Sequence, residues 1–167
     1  MRIFSGFKRE LLCIDPRICL LAVAATWFVG TLSLLLSGAG SCYCGMTLPG
    51  VAPGYVGWLI LWMLHYILLG LALGAVLGHC GCHRRLIGRG VIFWAFYLLC
   101  TLIWVPLFFA IGMELTALLL IGIAVLFGLG ALSVFASRSL LSAVLLLFAV
   151  LWQICCFLQT LLIILWN

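Results

Sequence analysis

Five uncharged apolar runs divide this chain so that every basic residue falls on alternate connections, and few folds satisfy that pairing of hydropathy with charge. A helix needs about 20 apolar residues to cross about 30 Å of hydrocarbon. The runs Ile18 to Leu36, Tyr55 to Leu77, Val91 to Ile111, Leu115 to Phe135 and Leu140 to Trp166 all meet that length. If they cross in alternating directions, Arg2, Lys8, Arg9 and Arg17, then Arg84, Arg85 and Arg89, and finally Arg138 share one side. These are all eight Lys and Arg of the chain. Basic connections face the cytoplasm, so the amino terminus is expected inside. The first loop (Ser37 to Gly54), the turn Gly112-Met113-Glu114 and the carboxyl end are expected outside. The predicted fold is all-α, an integral membrane five-helix bundle forming a single transmembrane domain over 1–167.

A composition of 68% hydrophobic and 7% charged residues excludes a soluble domain with a polar shell. The net charge of +5 flanks the spans, so topology and anionic headgroups account for it and no nucleic-acid partner is expected. The first run is longer than the apolar region of a signal peptide and is read as a retained span.

In a bilayer the backbone must satisfy itself, so the polar and small positions along each helix carry the information. Trp58, Trp62, Tyr66, Gly70, Gly74 and Gly78 recur every fourth residue, making one slowly turning stripe. Its inner half, Gly-xxx-Gly-xxx-Gly, lets two backbones approach closely. Together with Ala124 and Gly128 it offers a seam for an expected homodimer or for packing within the chain. Trp58, Trp94 and Trp166 lie near span ends, where Trp anchors at headgroup level, whereas Trp62 lies deeper. Thr101, Trp104 and Phe108 share a face of the third span. Pro106 cannot donate to the Leu102 carbonyl and is expected to kink that helix and widen the bundle outward. Trp152, Cys156 and Gln159 share a face of the fifth span. Gln153 and Gln159 are expected to turn inward, as interhelical hydrogen-bond partners or as ligand contacts.

His65 is an ionisable residue inside a span, hence a candidate contact for a ligand or a haem-like iron. His79-Cys80-Gly81-Cys82-His83 gathers thiols and imidazoles, but the spacing suits zinc poorly, and no metal site is assigned. Cys42 and Cys44 are too close for an unstrained bridge. Asp15-Pro16 reads as a helix start, and Glu114 complements a helix dipole. No paired-acid or Ser-His-Asp set is present, so conventional hydrolysis has no apparatus.

Gly45, Pro49, Pro53, Trp62, Tyr66 and Gly70 stand where the translocator protein family (bacterial tryptophan-rich sensory protein, TspO) has its Gly-Leu-x-Lys-Pro-x-Trp-x-Pro-Pro loop and following Trp-xxx-Tyr-xxx-Gly helix. Cys42-Tyr43 occupies the place of a Trp-Tyr pair. Trp104-Val105-Pro106-Leu107-Phe108-Phe109 resembles the Trp-Pro-Pro-x-Phe-Phe motif of the third helix, and Trp152 and Asn167 keep the family's interval in the fifth. The chain resembles that family over about residues 42 to 167, less so in the first helix. It departs at Thr101 for Asn, Gln159 for an apolar residue, Leu48 for the loop Lys, Gly54 for the second Pro and Thr160 for Asn.

The resemblance implies a bundle, often a homodimer, whose pocket binds porphyrins, sterols and aromatic ligands under the first loop. By position that pocket includes Trp62, Thr101, Trp104, Trp152, Cys156 and Gln159, with Tyr66 and His65 added from the second span. Tyr43, Pro49 and Pro53 form the lid. A basic cholesterol-recognition pattern is absent at the carboxyl end, so a tetrapyrrole, protoporphyrin or haem, is expected in preference to a steroid. No cofactor is required. The leading expectation is a receptor, sensor or carrier in a bacterial cell membrane, with the lipid bilayer and a hydrophobic small molecule as partners. Alternatives are the substrate-binding subunit of a vitamin importer, or a light-dependent porphyrin-degrading enzyme.

Overall fold

A computed structural model of the protein describes residues 14–46, 50, 52–78 and 84–166, without the side chains of 84–87. Its helices are α1 (Pro16–Leu36), α2 (Ala39–Gly45), α3 (Tyr55–Leu77), α4 (Arg84–Pro106), α5 (Glu114–Ala136) and α6 (Leu140–Trp166). A π-helical turn, Leu107–Ile111, extends α4. Five of these are long and apolar enough to cross a membrane, and each coincides with an expected span. The helical backbone of α4 begins earlier than its apolar run, since a helix can continue into the headgroup region where only its side chains need change. Helix α2, inside the first loop, was not expected.

Local chemistry sets the ends. Asp15 caps α1, its carboxylate accepting from the Arg17 N–H at 2.9 Å, and Pro16 fills the first turn, where its missing N–H costs nothing. Gly112, at φ 73°, closes the π-helical turn in the left-handed region that glycine tolerates. Glu114 opens α5 as its first-turn acid.

The five long helices form a ring in the order α1, α3, α6, α5, α4, and α1 meets α4 to close it. The tightest seam joins α1 to α3. A Cβ on Gly70 would lie 2.5 Å from the Val23 Cα, and one on Gly74 would lie 2.5 Å from the Cys19 Cα. Gly78 faces the Asp15 backbone in the same way, and its carbonyl accepts from the Asp15 N–H at 3.1 Å. The glycine stripe is therefore occupied inside the protomer. So is the second small-residue face: Ala124 is buried, and a Cβ on Gly128 would meet Val150 at 2.9 Å.

Hydrogen bonds cross the seams where apolar burial gives no preference for protein over lipid. The Trp94 indole donates to the Leu69 carbonyl at 3.2 Å, and the Tyr97 hydroxyl to the Ala149 carbonyl at 3.0 Å. Ser142 donates to the Ala72 carbonyl. At Pro106 the carbonyl of Leu102 loses its usual donor, and the Ser33 hydroxyl of α1 supplies another at 2.9 Å. Beyond Pro106 the helix changes character. The π-helical turn carries Phe108 and Phe109 inward, both buried, and they fill the outer end of the bundle.

Candidate functional site

An aromatic column descends from the outer end of the ring into its middle. Tyr43 of α2 stacks on Trp58 with ring centroids 4.8 Å apart, and Trp58 meets Trp62 at 6.0 Å. Trp62 then lies nearly parallel to Trp104 of α4, at 5.4 Å and 19°, and meets Trp152 of α6 edge-on at 6.2 Å. Phe108, one turn nearer the lid, continues the parallel arrangement against Trp104 at 5.7 Å and 14°. Offset parallel and edge-to-face contacts are the geometries aromatic rings favour. The every-fourth-residue stripe of α3 explains why Trp58, Trp62 and Tyr66 all reach this interior.

Below Trp62 the surroundings turn polar without becoming charged. His65 packs edge-on against Trp62 at 5.4 Å, Tyr66 at 5.5 Å and Tyr97 at 6.0 Å. The Tyr66 hydroxyl and both amide atoms of Gln153 have no hydrogen-bond partner. The Ala149 carbonyl accepts from the Tyr97 hydroxyl and has a second lone pair for His65 beside it. The indole N–H groups of Trp62, Trp104 and Trp152 are also buried without acceptors. Buried polar groups are seldom left in this state. Among the described residues, no Asp, Glu, Lys or Arg is buried.

The first loop closes the outer mouth through named contacts. The Tyr43 hydroxyl donates to the Pro53 carbonyl at 2.6 Å and accepts from the Gln159 amide at 3.2 Å. Burial pushes the Tyr43 phenol above its ordinary pKa, against a smaller lowering by the Gln159 hydrogen bond. It therefore stays neutral and able to donate. Cys42 donates its S–H to the Phe109 carbonyl at 3.1 Å. Gly40 lets α2 sit directly on Tyr55, since a Cβ there would lie 2.6 Å from the Tyr55 hydroxyl oxygen. Under this lid the cavity bordered by Tyr43, Trp58, Trp104, Cys156, Gln159 and Thr160 measures about 10 Å³, about one water. A larger groove of about 490 Å³ opens between α3 and α6, bordered by Pro53, Leu61, Trp152, Leu158 and Gln159.

The sequence model of the TspO/MBR family matches residues 18–166. The chain belongs to the TspO/MBR family. With its five long apolar helices, it is an integral multi-pass membrane protein. No curated protein matches it.

Most positions that the TspO resemblance singled out converge in this one interior. Trp62, Tyr66, His65, Trp104 and Cys156 are buried there, and Trp152 and Gln159 stand half-buried at its edge. Thr101 is buried, but its hydroxyl donates to the Tyr97 carbonyl of its own helix at 2.8 Å. Of the lid residues, Tyr43 and Pro53 are joined as described, and Pro49 lies outside the described residues. So does the His79 to His83 run. Of the two amides expected to turn inward, Gln159 bonds the lid, while Gln153 is buried without a hydrogen-bond partner.

The interior role of three residues escaped the sequence reading. Trp58 is buried in the column, stacked against Tyr43 of α2. Trp94 is likewise buried and bonded to α3, whereas Trp166 is 57% exposed and suits an anchor. Tyr97 closes the polar floor. Its aromatic spacing from Thr101 and Trp104, at i+4 and i+7, was the available signal.

Proposed function

We propose that this TspO/MBR protein binds a flat, conjugated, largely apolar ligand of the tetrapyrrole class between α3, α4 and α6, as a receptor, sensor or carrier. One observation carries the reading: Trp62, Trp104 and Trp152, from three helices, meet in one buried cluster with all three indole N–H groups unused. Such a surface stacks on a conjugated ring and offers it a few hydrogen bonds, the usual make-up of a small-molecule site. Family membership supports the same class.

On this reading the lid must open for the ligand, because the cavity beneath it, about 10 Å³, admits no macrocycle. Binding exchanges ring contacts within the protein for ring contacts with the ligand, and the lid held by Tyr43, Pro53 and Gln159 must yield. The lid is assigned to the extracytoplasmic side by the distribution of basic residues.

Titration of the purified protein with protoporphyrin in darkness tests the proposal. Saturable quenching of Trp fluorescence is the expected result, and quenching that fails to saturate would overturn it. Illumination of the complex then separates binding from turnover, since turnover requires protein-dependent loss of the porphyrin absorbance.

A further inference from the structure

From the floor of the aromatic column we infer that the ligand carries a carboxyl group, that His65, Tyr66 and Gln153 receive it, and that one proton enters with it. This deepens the tetrapyrrole reading and rests on it.

The argument begins with the unused atoms. The Tyr66 hydroxyl and the oxygen and nitrogen of the Gln153 amide are buried without partners, and His65, with the Ala149 carbonyl beside one ring nitrogen, has the other unused. His65 touches Tyr66 and Tyr97, Tyr97 is bonded to the Ala149 carbonyl, and Gln153 follows Ala149 by one turn on the buried face of α6. Donors and acceptors are both present, as a carboxyl group requires. His65 lies near the midpoint of the 23-residue α3, about 15 Å below its outer end at 1.5 Å per residue. A planar ligand sliding down the column thus ends with one edge at this floor.

Charge decides the form in which that group arrives. Among the described residues no Lys or Arg is buried, so nothing in the interior can balance a bare carboxylate. An uncompensated ion there is strongly disfavoured. The titratable groups around His65 are Tyr66 on α3, Tyr97 on α4 and Cys156 on α6, and α1 contributes only the Thr26 hydroxyl, at the Tyr66 carbonyl. Phenols and thiols start near about 10 and about 8.5 and offer no proton acceptor at neutral pH. Imidazole does, and its proton and that of the carboxyl belong to the pair as a unit. The balance is simple. A carboxylate in water, one proton from water and neutral His65 become a net-neutral hydrogen-bonded pair.

The experiment compares protoporphyrin, whose propionates ionise, with its dimethyl ester between pH 6 and pH 8. The ester is expected to bind with an affinity independent of pH. The acid is expected to bind about tenfold more tightly for each unit of falling pH, the linkage of one proton. His65→Gln, which hydrogen-bonds but does not titrate, is expected to weaken the acid more than the ester at every pH, because the acid loses its proton-sharing partner, and its melting temperature serves as the folding control. Gln153→Leu is expected to weaken the acid alone. A flat profile for the acid, or acid and ester weakened equally by His65→Gln, overturns the inference while leaving the stacking site standing. Failure of both ligands to bind overturns the tetrapyrrole reading, and this inference with it.

Discussion

Trp62 is the residue on which the site turns, because Trp58, His65, Tyr66, Trp104 and Trp152 all pack their rings against it. Stacking contributes about 0.5–1.5 kcal/mol beyond buried area, so Trp62→Ala and Trp152→Ala should each weaken protoporphyrin binding roughly 2- to 12-fold by that measure. Trp166→Ala should leave it unchanged, as read by fluorescence titration of folded protein. Trp94→Ala has a different expected effect. It removes an interhelical hydrogen bond, a class worth about 0.6–1.7 kcal/mol in membranes, so it should lower thermal stability more than affinity. Gln159 belongs to the lid and not to the stacking surface. Gln159→Leu cuts the bond to Tyr43, and an average bond of about 0.6 kcal/mol corresponds to about threefold faster association and dissociation, with the equilibrium constant unchanged. Stopped-flow quenching that shows equal rates for both proteins would exclude the lid as the gate.

The elements show how unevenly a sequence of this kind reveals itself. The long helices were legible because the bilayer forbids exposed backbone groups, which makes hydropathy and length nearly sufficient. Helix α2 was not legible. Ala39-Gly40-Ser41-Cys42-Tyr43-Cys44-Gly45 contains two glycines and little helix propensity, and tertiary contacts of Cys42 and Tyr43 hold it. The glycine stripe of α3 announced a close approach but could not name the partner, since the facing residues on α1 are Cys19 and Val23 and carry no matching motif. That partner now makes a prediction. Gly74→Leu must push α1 away through its backbone and should lower the melting temperature markedly, whereas Gly122→Ala, whose Cβ would meet a Phe157 side chain no closer than 3.4 Å, should not. Equal melting temperatures would mean that α1 and α3 do not pack as described. Pro106 taught a related lesson. The lost donor was legible, but the replacement by Ser33 and the inward turn of Phe108 and Phe109 depend on how separate helices meet.

At the scale of the whole molecule, the ring explains both what was foreseen of the site and what was not. Residues on three helices could be assigned to one pocket because their periodicities point them inward, yet its closure to about 10 Å³ depends on side-chain packing that no spacing encodes. With both small-residue faces used inside the protomer, a homodimer would have to form through other surfaces. Gly128→Leu is therefore expected to destabilise the protomer rather than shift an oligomer distribution. Orientation in the membrane rests on charge alone, and cysteine chemistry can test it. Cys44 is exposed on α2, while Cys42 is half-buried and bonded to the Phe109 carbonyl, so the outer label should fall mainly on Cys44. In intact cells or vesicles of known sidedness, an impermeant maleimide added outside should modify Cys44 and spare Cys80 and Cys82. The signal should vanish in Cys44→Ser. Cys155 faces outward from α6 at membrane depth, where a charged reagent does not reach. Labelling of Cys80 and Cys82 with protection of Cys44 would place the lid on the cytoplasmic side. The ligand would then approach from the cytoplasm, against the positive-inside assignment of all eight basic residues.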